Sequence, residues 1–226
     1  MKKIIILGKG GHARSVADAI EQEGKYQIAG YVVNEEIVKK ESDNYPIVGN
    51  DEDLLKLYTN GIHYAAIGIG YLGKGNLRRK LYEELKKIGY FLPVICDPSA
   101  SLSKRIEIDE GTFIGKGAVI NAGAKVEKMC IINSGAIIEH DCHVKEFSHV
   151  AVGTVLCGGV CIGSDVFVGA NATVIQDIDV GNGCIIGAGE VLRKDVSGGM
   201  IYHNNKTIGN IKNCGGGKIN PQKYIA

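Results

Sequence analysis

The 226-residue chain is almost neutral, with 26 Lys and Arg against 25 Asp and Glu, and it holds 32 glycines but only four prolines and no tryptophan. Glycine is about twice its usual ~7 % share, yet the scarcity of proline and the lack of a Gly-X-Y period exclude collagen, and 45 % apolar residues exclude a disordered Gly/Ser tract. The charge balance points to neither a nucleic-acid nor an acidic-membrane partner.

The chain starts Met1-Lys2-Lys3 and then runs Ile4–Leu7, an apolar stretch too short for a signal core or a membrane span. No later run approaches that length, so a soluble, cytoplasmic protein is expected. Ile4–Leu7 reads as a buried strand, and Ala13, Val16, Ala17 and Ile20 follow at helical spacing. Ile28–Val33 is a second strand. Asn50 is placed as the N-cap of a helix through Leu57. Tyr64–Ile67 forms a third strand, Asn76 opens a helix bearing Leu77, Leu81, Leu85 and Ile88, and Phe91–Ile95 is a fourth strand. This alternation describes a Rossmann-like α/β domain with a parallel sheet over residues 1–95, followed by a linker at 96–101.

From residue 102 the period changes to six. Every sixth residue from Ile108 to Leu192 is Ile, Leu or Val, fifteen in succession, and Leu102 extends the series backwards. Four residues after each comes a mostly small side chain, as at Thr112, Ala118, Ala124, Cys130 and Ala136. One large and one small inward position per six residues is the wall of a parallel β-helix, and three walls make an 18-residue coil. The prism then spans 102–196, and 197–226 is a C-terminal extension, with 207–226 expected as a mobile tail. Of the 14 glycines in the repeat, 13 fall at the second or fourth place of the hexad, which is expected where a backbone needs special turn dihedrals. The exception is Gly158.

The seven cysteines (Cys96, Cys130, Cys142, Cys157, Cys161, Cys184 and Cys214) form neither a CxxC pair nor zinc-ribbon spacing, so free thiols in a reducing compartment are expected. Cys130, Cys142 and Cys184 fall in the small inward slot, where thiol and alanine are near-equivalent.

The hexapeptide pattern resembles that of left-handed β-helix acyltransferases. The segment from Ile131-Ile132-Asn133 through Glu139-His140-Asp141-Cys142, then Phe147-Ser148-His149-Val150, resembles the sugar O-/N-acetyltransferases of the NeuD/PglD type. Gly8-Lys9-Gly10-Gly11-His12 after the first strand fits the same family. The resemblance implies an α/β Rossmann-like domain followed by a left-handed parallel β-helix, a homotrimer, and acetyl-CoA as cosubstrate in a groove between subunits. It further implies that the N-terminal domain holds a nucleotide-linked sugar, that His140 is the general base, and that Asp141 assists it. Acetylation of a nucleotide-linked amino sugar for surface glycan biosynthesis is the favoured function, with a sialic-acid hydroxyl as the alternative acceptor.

The residues themselves support several of these roles. A neutral imidazole suits removal of a proton from an attacking amine or hydroxyl. Asp141 occupies the fourth hexad place, where Gly, Asn and Asp recur as turn residues, so Glu139 competes with it as the partner of His140. Gly158 stands one coil beyond His140, where it leaves room for a thioester and exposes a backbone N–H. Ala170, Ala188 and His149 correspond to acetyl-CoA contacts of the family. Gly8-x-Gly10-x-x-Ala13 has the shape of a diphosphate-binding loop at a helix start. Gly8, Gly10, Gly11, His12 and Gly68 form the substrate-binding set with Asn133, Asn34 and Glu35, although the family usually shows two aspartates where Asn34-Glu35 stands. Tyr202-His203-Asn204-Asn205-Lys206 replaces a common Pro-Ala-Lys loop near CoA. A metal site like that of γ-type carbonic anhydrases is not expected, since His140, His143 and His149 occupy diverging hexad places. A non-catalytic trimeric nucleotide-sugar-binding scaffold remains the non-enzymatic alternative.

Overall fold

A computed structural model describes residues 1–34, 44–73 and 75–210. The chain divides into two compact units: Met1–Gly70 with Gly75–Pro98, and Tyr71–Lys74 with Ser99–Ala226.

The first unit carries β1 (Lys2–Leu7), α1 (Gly11–Glu23), β2 (Tyr26–Val32), β3 (Ile47–Gly49), α2 (Leu54–Thr59), β4 (Tyr64–Ile67) and α3 (Leu77–Ile88). The strands pair in parallel in the order β3-β2-β1-β4. Being central, β1 is covered on both faces, which is why Ile4, Ile5, Ile6 and Leu7 form an unbroken buried run. Asn50 caps a single 3₁₀ turn, Asp51–Asp53, through a reciprocal capping box with Asp53, and α2 begins only after it. The expected strand at Phe91–Ile95 reduces to a bridge between Tyr64 and Phe91 and a two-residue strand at Ile95–Cys96. Pro93 lies between them and removes a ladder donor. β3 was not anticipated.

The second unit is a left-handed β-helix of two-residue strands. The first wall stacks Ser101–Leu102, Val119–Ile120, Ile137–Ile138, Val155–Leu156, Thr173–Val174 and Val191–Leu192 in parallel. The second runs from Glu107–Ile108 to Asp179–Val180, and the third includes Phe113–Ile114, Ile131–Ile132, His149–Val150, Phe167–Val168 and Ile185–Ile186. Each strand pairs with the one eighteen residues on, as Ile137 does with Val155. The large inward residues from Ile114 to Leu192 and the small ones such as Ala118, Ala124 and Cys130 are buried. Hydroxyls in the small slot bond to the backbone instead of facing a void: Ser148 Oγ donates to the Gly163 carbonyl at 2.6 Å and Thr154 Oγ1 to that of Gly169 at 2.9 Å.

The fourth hexad place has positive φ at every corner from Gly111 to Gly189, including Met129, Asp141, Phe147, Asp165, Asn171 and Asp177. The second-place glycines correct the expectation drawn for them, because their φ is not left-handed. They admit the next coil. A Cβ on Gly169 would lie 2.5 Å from the Ala188 backbone nitrogen, and one on Gly163 would lie 2.6 Å from that of Asn182.

The C-terminal extension also departs from expectation. Met200–His203 adds to the third wall beside Ile185–Ile186, and Lys206–Asn210 returns antiparallel to it. Asn204 and Asn205, at φ 52° and 58°, make the two-residue turn that such hairpins favour. Residues 207–210 are therefore strand and not tail; 211–226, with Cys214, lie outside the described residues.

Two substitutions separate the two uses of glycine. Gly169→Ala meets backbone and is expected to lower unfolding stability by about 3 kcal/mol. Gly135→Ala meets nothing within 4 Å and is expected to lose about 1 kcal/mol through its left-handed φ alone. Denaturant unfolding that ranks them in the reverse order contradicts this assignment.

Candidate active site

The corner after the strand Ile137–Ile138 turns through Glu139, His140 and the left-handed Asp141, where φ is 58°. The aliphatic positions on either side are buried, so His140 at the third hexad place is carried outward and remains exposed, its side chain 65 % accessible. His140 Nδ1 donates to Asp141 Oδ2 at 2.9 Å. Asp141 thus serves both as the turn residue and as the partner of His140, and the Glu139 alternative falls away as the direct hydrogen bond. Glu139 acts on the ring only through its charge.

That hydrogen bond is the main reason the imidazole pKa lies above its ordinary value. Desolvation opposes it, and the charges of Asp141, Glu139 and Asp177 add to it. With Nδ1 holding the proton, Nε2 is the free basic nitrogen. The ring lies over Gly158: a Cβ there would fall 2.5 Å from both Cε1 and Nε2. The absent side chain is therefore needed for the imidazole itself to occupy this position. The site opens into a cavity of about 490 Å³ lined by His140, Asp141, Cys157, Gly158, Gly159, Gln176 and Asp177. Gln176 and Asp177 were not anticipated. The signal for them was their spacing, two coils or thirty-six residues beyond His140 and Asp141.

The other expected residues sit elsewhere. His149 is buried on the third wall, where Nδ1 donates to the Tyr71 carbonyl at 2.7 Å and Nε2 lies 3.2 Å from Asn133 Nδ2. The Tyr71 hydroxyl in turn donates to the Asp165 carbonyl at 2.8 Å. Asn133 Oδ1 accepts from the Ser134 amide, so both ends of that side chain are engaged within the wall. His143 is not simply solvated, since its Nε2 lies 2.8 Å from Glu127 Oε1. Ala170 and Ala188 occupy the same place on the corner between the third and first walls, a different corner from that of His140; Ala170 packs beside Tyr71, Ala151 and Phe167. Burial pushes the Cys142 thiol up to about 11, which leaves it inert. Among the described residues, no group of three His, Cys, Asp or Glu side chains could hold a metal ion, and no helix is long and apolar enough to cross a membrane.

In the first unit, Gly10 caps α1 with extended backbone and no side-chain hydrogen bond. Its first turn contains no acidic residue, so the helix start presents amides suited to an anion. Gly8, at φ 95°, turns the chain out of β1, and its amide donates to the Val32 carbonyl at 2.8 Å. A Cβ on Gly10 or Gly11 would meet nothing within 4 Å. Gly68 is buried, and a Cβ on it would lie 2.7 Å from Ala13 Cβ, so it allows α1 to approach β4. Gly70 lies beside His12. Asn34 is exposed at the end of β2, and Glu35 lies outside the described residues.

The fold and this corner define an acyltransferase of the hexapeptide-repeat class. The PglD N-terminal domain family matches residues 3–85, and the hexapeptide repeat of succinyl-transferase matches 105–144 and 159–194. PerB from Caulobacter crescentus, solved with CoA and GDP-perosamine, is 30 % identical over 92 % of this chain and 98 % of its own, with a TM-score of 0.82. A mutant of perosamine N-acetyltransferase from the same organism, with the same two ligands, is 29 % identical over 93 % of this chain and 98 % of its own, with a TM-score of 0.86. The acetyltransferase domain of PglB from Neisseria gonorrhoeae FA1090, in complex with acetyl coenzyme A, is 28 % identical over 92 % and 98 %, with a TM-score of 0.82. The match to curated relatives, 2,3,4,5-tetrahydropyridine-2,6-dicarboxylate N-acetyltransferases of Staphylococcus aureus, is 38 % identical over 61 residues; it covers 24 % of this chain and about a quarter of their length. The chain belongs to the PglD-type family of acetyltransferases.

The Asp141 bond has a kinetic signature. A raised imidazole pKa places the acid limb of kcat/KM above the ordinary histidine value, because activity is lost as pH falls through that pKa. Asp141→Asn keeps the left-handed turn and removes the charge, so the limb is expected to move to lower pH while kcat falls by about tenfold or more. A pH–rate profile with an unmoved acid limb contradicts the pairing.

Proposed function

We propose that this chain transfers the acetyl group of acetyl-CoA to the amine of a nucleotide-linked amino sugar, with His140 as general base. The observation that carries the reading is the His140 ring held by Asp141 over Gly158 at the mouth of a cavity, on a chain 30 % identical to a protein solved with CoA and GDP-perosamine. The substrate's nucleotide diphosphate is assigned to Gly8, Gly10, Gly11 and His12 at the start of α1, where the helix N-terminus, free of acidic residues in its first turn, favours a phosphate.

The chemistry follows from the tautomer. The acceptor ammonium loses one proton to solvent, and the neutral amine attacks the thioester carbonyl carbon. As the C–N bond forms, the second amine proton passes to His140 Nε2, and the Asp141 carboxylate stabilises the imidazolium. The tetrahedral intermediate collapses with cleavage of the C–S bond. The imidazolium returns its proton to the departing thiolate, giving the N-acetyl sugar and CoA. The backbone around Gly158, stripped of a side chain, gives the developing oxyanion access to an N–H.

The working form is a homotrimer, with acetyl-CoA along the prism between subunits near Ala170 and Ala188, and the product serves surface glycan assembly in the cytoplasm. The use of CoA and of a nucleotide-linked sugar is supported by the complexes of PerB with CoA and GDP-perosamine and of the PglB domain with acetyl coenzyme A. Thiol release from acetyl-CoA is to be measured against UDP- and GDP-linked amino sugars. The His140→Ala variant is expected to lose a factor of about 10²–10⁴ in turnover, with sedimentation at three times the chain mass. Unimpaired turnover in the variant contradicts the mechanism.

A further inference from the structure

His140 and Asp141 are one half of the cavity. The other half comes from Gln176 and Asp177; Asp177 leans on the glycine one coil back as Asp141 does on Gly123 and Asn171 on Gly153, and what sets this corner apart is the imidazole over the adjacent Gly158. The Asp177 carboxylate leans back over Gly159, close to where a Cβ on that glycine would fall, while the His140 ring leans forward over Gly158. An imidazole from one coil and a carboxylate from two coils on therefore converge on the same bare dipeptide. The Asp177 amide donates to the Gly158 carbonyl at 3.0 Å and the Gly159 amide to the His140 carbonyl at 2.9 Å, which locks the three coils in register. The two residues start two coils apart, roughly 10 Å along the prism, and both border the same cavity of about 490 Å³.

The charges in this space are of one sign. Asp141 and Asp177 line it, Glu139 and Asp177 act electrostatically on the imidazole, and none of the lining residues is Lys or Arg. Asp141 is committed to His140 Nδ1. Among the described residues the Asp177 carboxylate has no hydrogen bond of its own, so its oxygens are available to a ligand. We infer that Asp177 is a specificity-determining residue that binds the ammonium group of the acceptor sugar beside His140. The enzyme thereby selects a cationic amino sugar over a hydroxyl-bearing or carboxylate-bearing one. A sialic acid would bring its own carboxylate into an acidic cavity, whereas an ammonium is attracted and then delivers its amine to the base.

This inference rests on the acetyl-transfer reading and adds to it the residue that chooses the acceptor. The turn tolerates the test substitution, because Asn171 holds the same left-handed conformation at an equivalent corner, with φ 55° against 56° at Asp177. The probes are a nucleotide-linked amino sugar that the wild-type protein acetylates and the same nucleotide sugar with a hydroxyl in place of the amine. Wild type is expected to bind the amino form about tenfold more tightly by titration calorimetry. Asp177→Asn is expected to abolish that ratio and raise acceptor KM by about tenfold, with the KM of acetyl-CoA unchanged. Asp165→Asn, the same replacement at a turn outside this cavity, is expected to retain the wild-type ratio. Turnover by wild type with an unchanged ratio in Asp177→Asn overturns this inference alone. No turnover with any nucleotide-linked amino sugar overturns the acetyl-transfer reading and this inference with it.

Discussion

A triangular prism turns a corner every six residues, and in this chain each corner from Gly111 to Gly189 does so with a residue in the left-handed region. For an L-residue with a side chain that conformation costs about 1–2 kcal/mol, with Asn and Asp least penalised. The fourth hexad place is accordingly filled by Gly, Asn or Asp except at Met129 and Phe147, which are buried. This constraint sets the rest. It keeps the coil at eighteen residues without an insertion, stacks like positions above like, and carries the third-place side chain out of the core at every corner.

The site is a local use of that constraint. A turn that requires Gly, Asn or Asp accepts an aspartate at little cost, and that aspartate lies next to the outward-facing third place. Histidine there gains a hydrogen-bonded carboxylate partner from its own turn. The column through it reads Ala122, His140, Gly158, Gln176 and Lys194, so the chemistry varies along one edge while the core behind it does not. Gly158 and Gly159 in succession leave one corner without side chains, the His140 ring and the Asp177 carboxylate lean over it, and the cavity opens beside them.

The period of six made the prism, its walls and the position of His140 legible from the chain alone, because each depends on regular spacing. Features that depend on contact between distant residues were not legible. Asp177 looks like any other turn aspartate until the coil below it is known to be Gly158-Gly159. His149 lies two residues past Phe147 in a recognisable segment, but its buried position depends on Tyr71, seventy-eight residues earlier in a stretch with no pattern of its own. The C-terminal hairpin was hidden in polar residues, and its anchor is the buried Glu190 carboxylate, which accepts from the Asn204 and Asn205 amides at 2.7 and 3.2 Å. Thirteen glycines shared one explanation in sequence but divide in structure between left-handed turns and close approach of neighbouring coils.

The central claim is that the turn aspartate fixes the tautomer and basicity of the histidine beside it. Nitrogen-15 NMR of the histidine rings in the folded protein, with His140 assigned by substitution, measures both directly. The account expects His140 to titrate above the ordinary imidazole value and, at pH above that titration, to carry its single proton on Nδ1 with Nε2 bare. A proton on Nε2, or titration at or below that value, would contradict it.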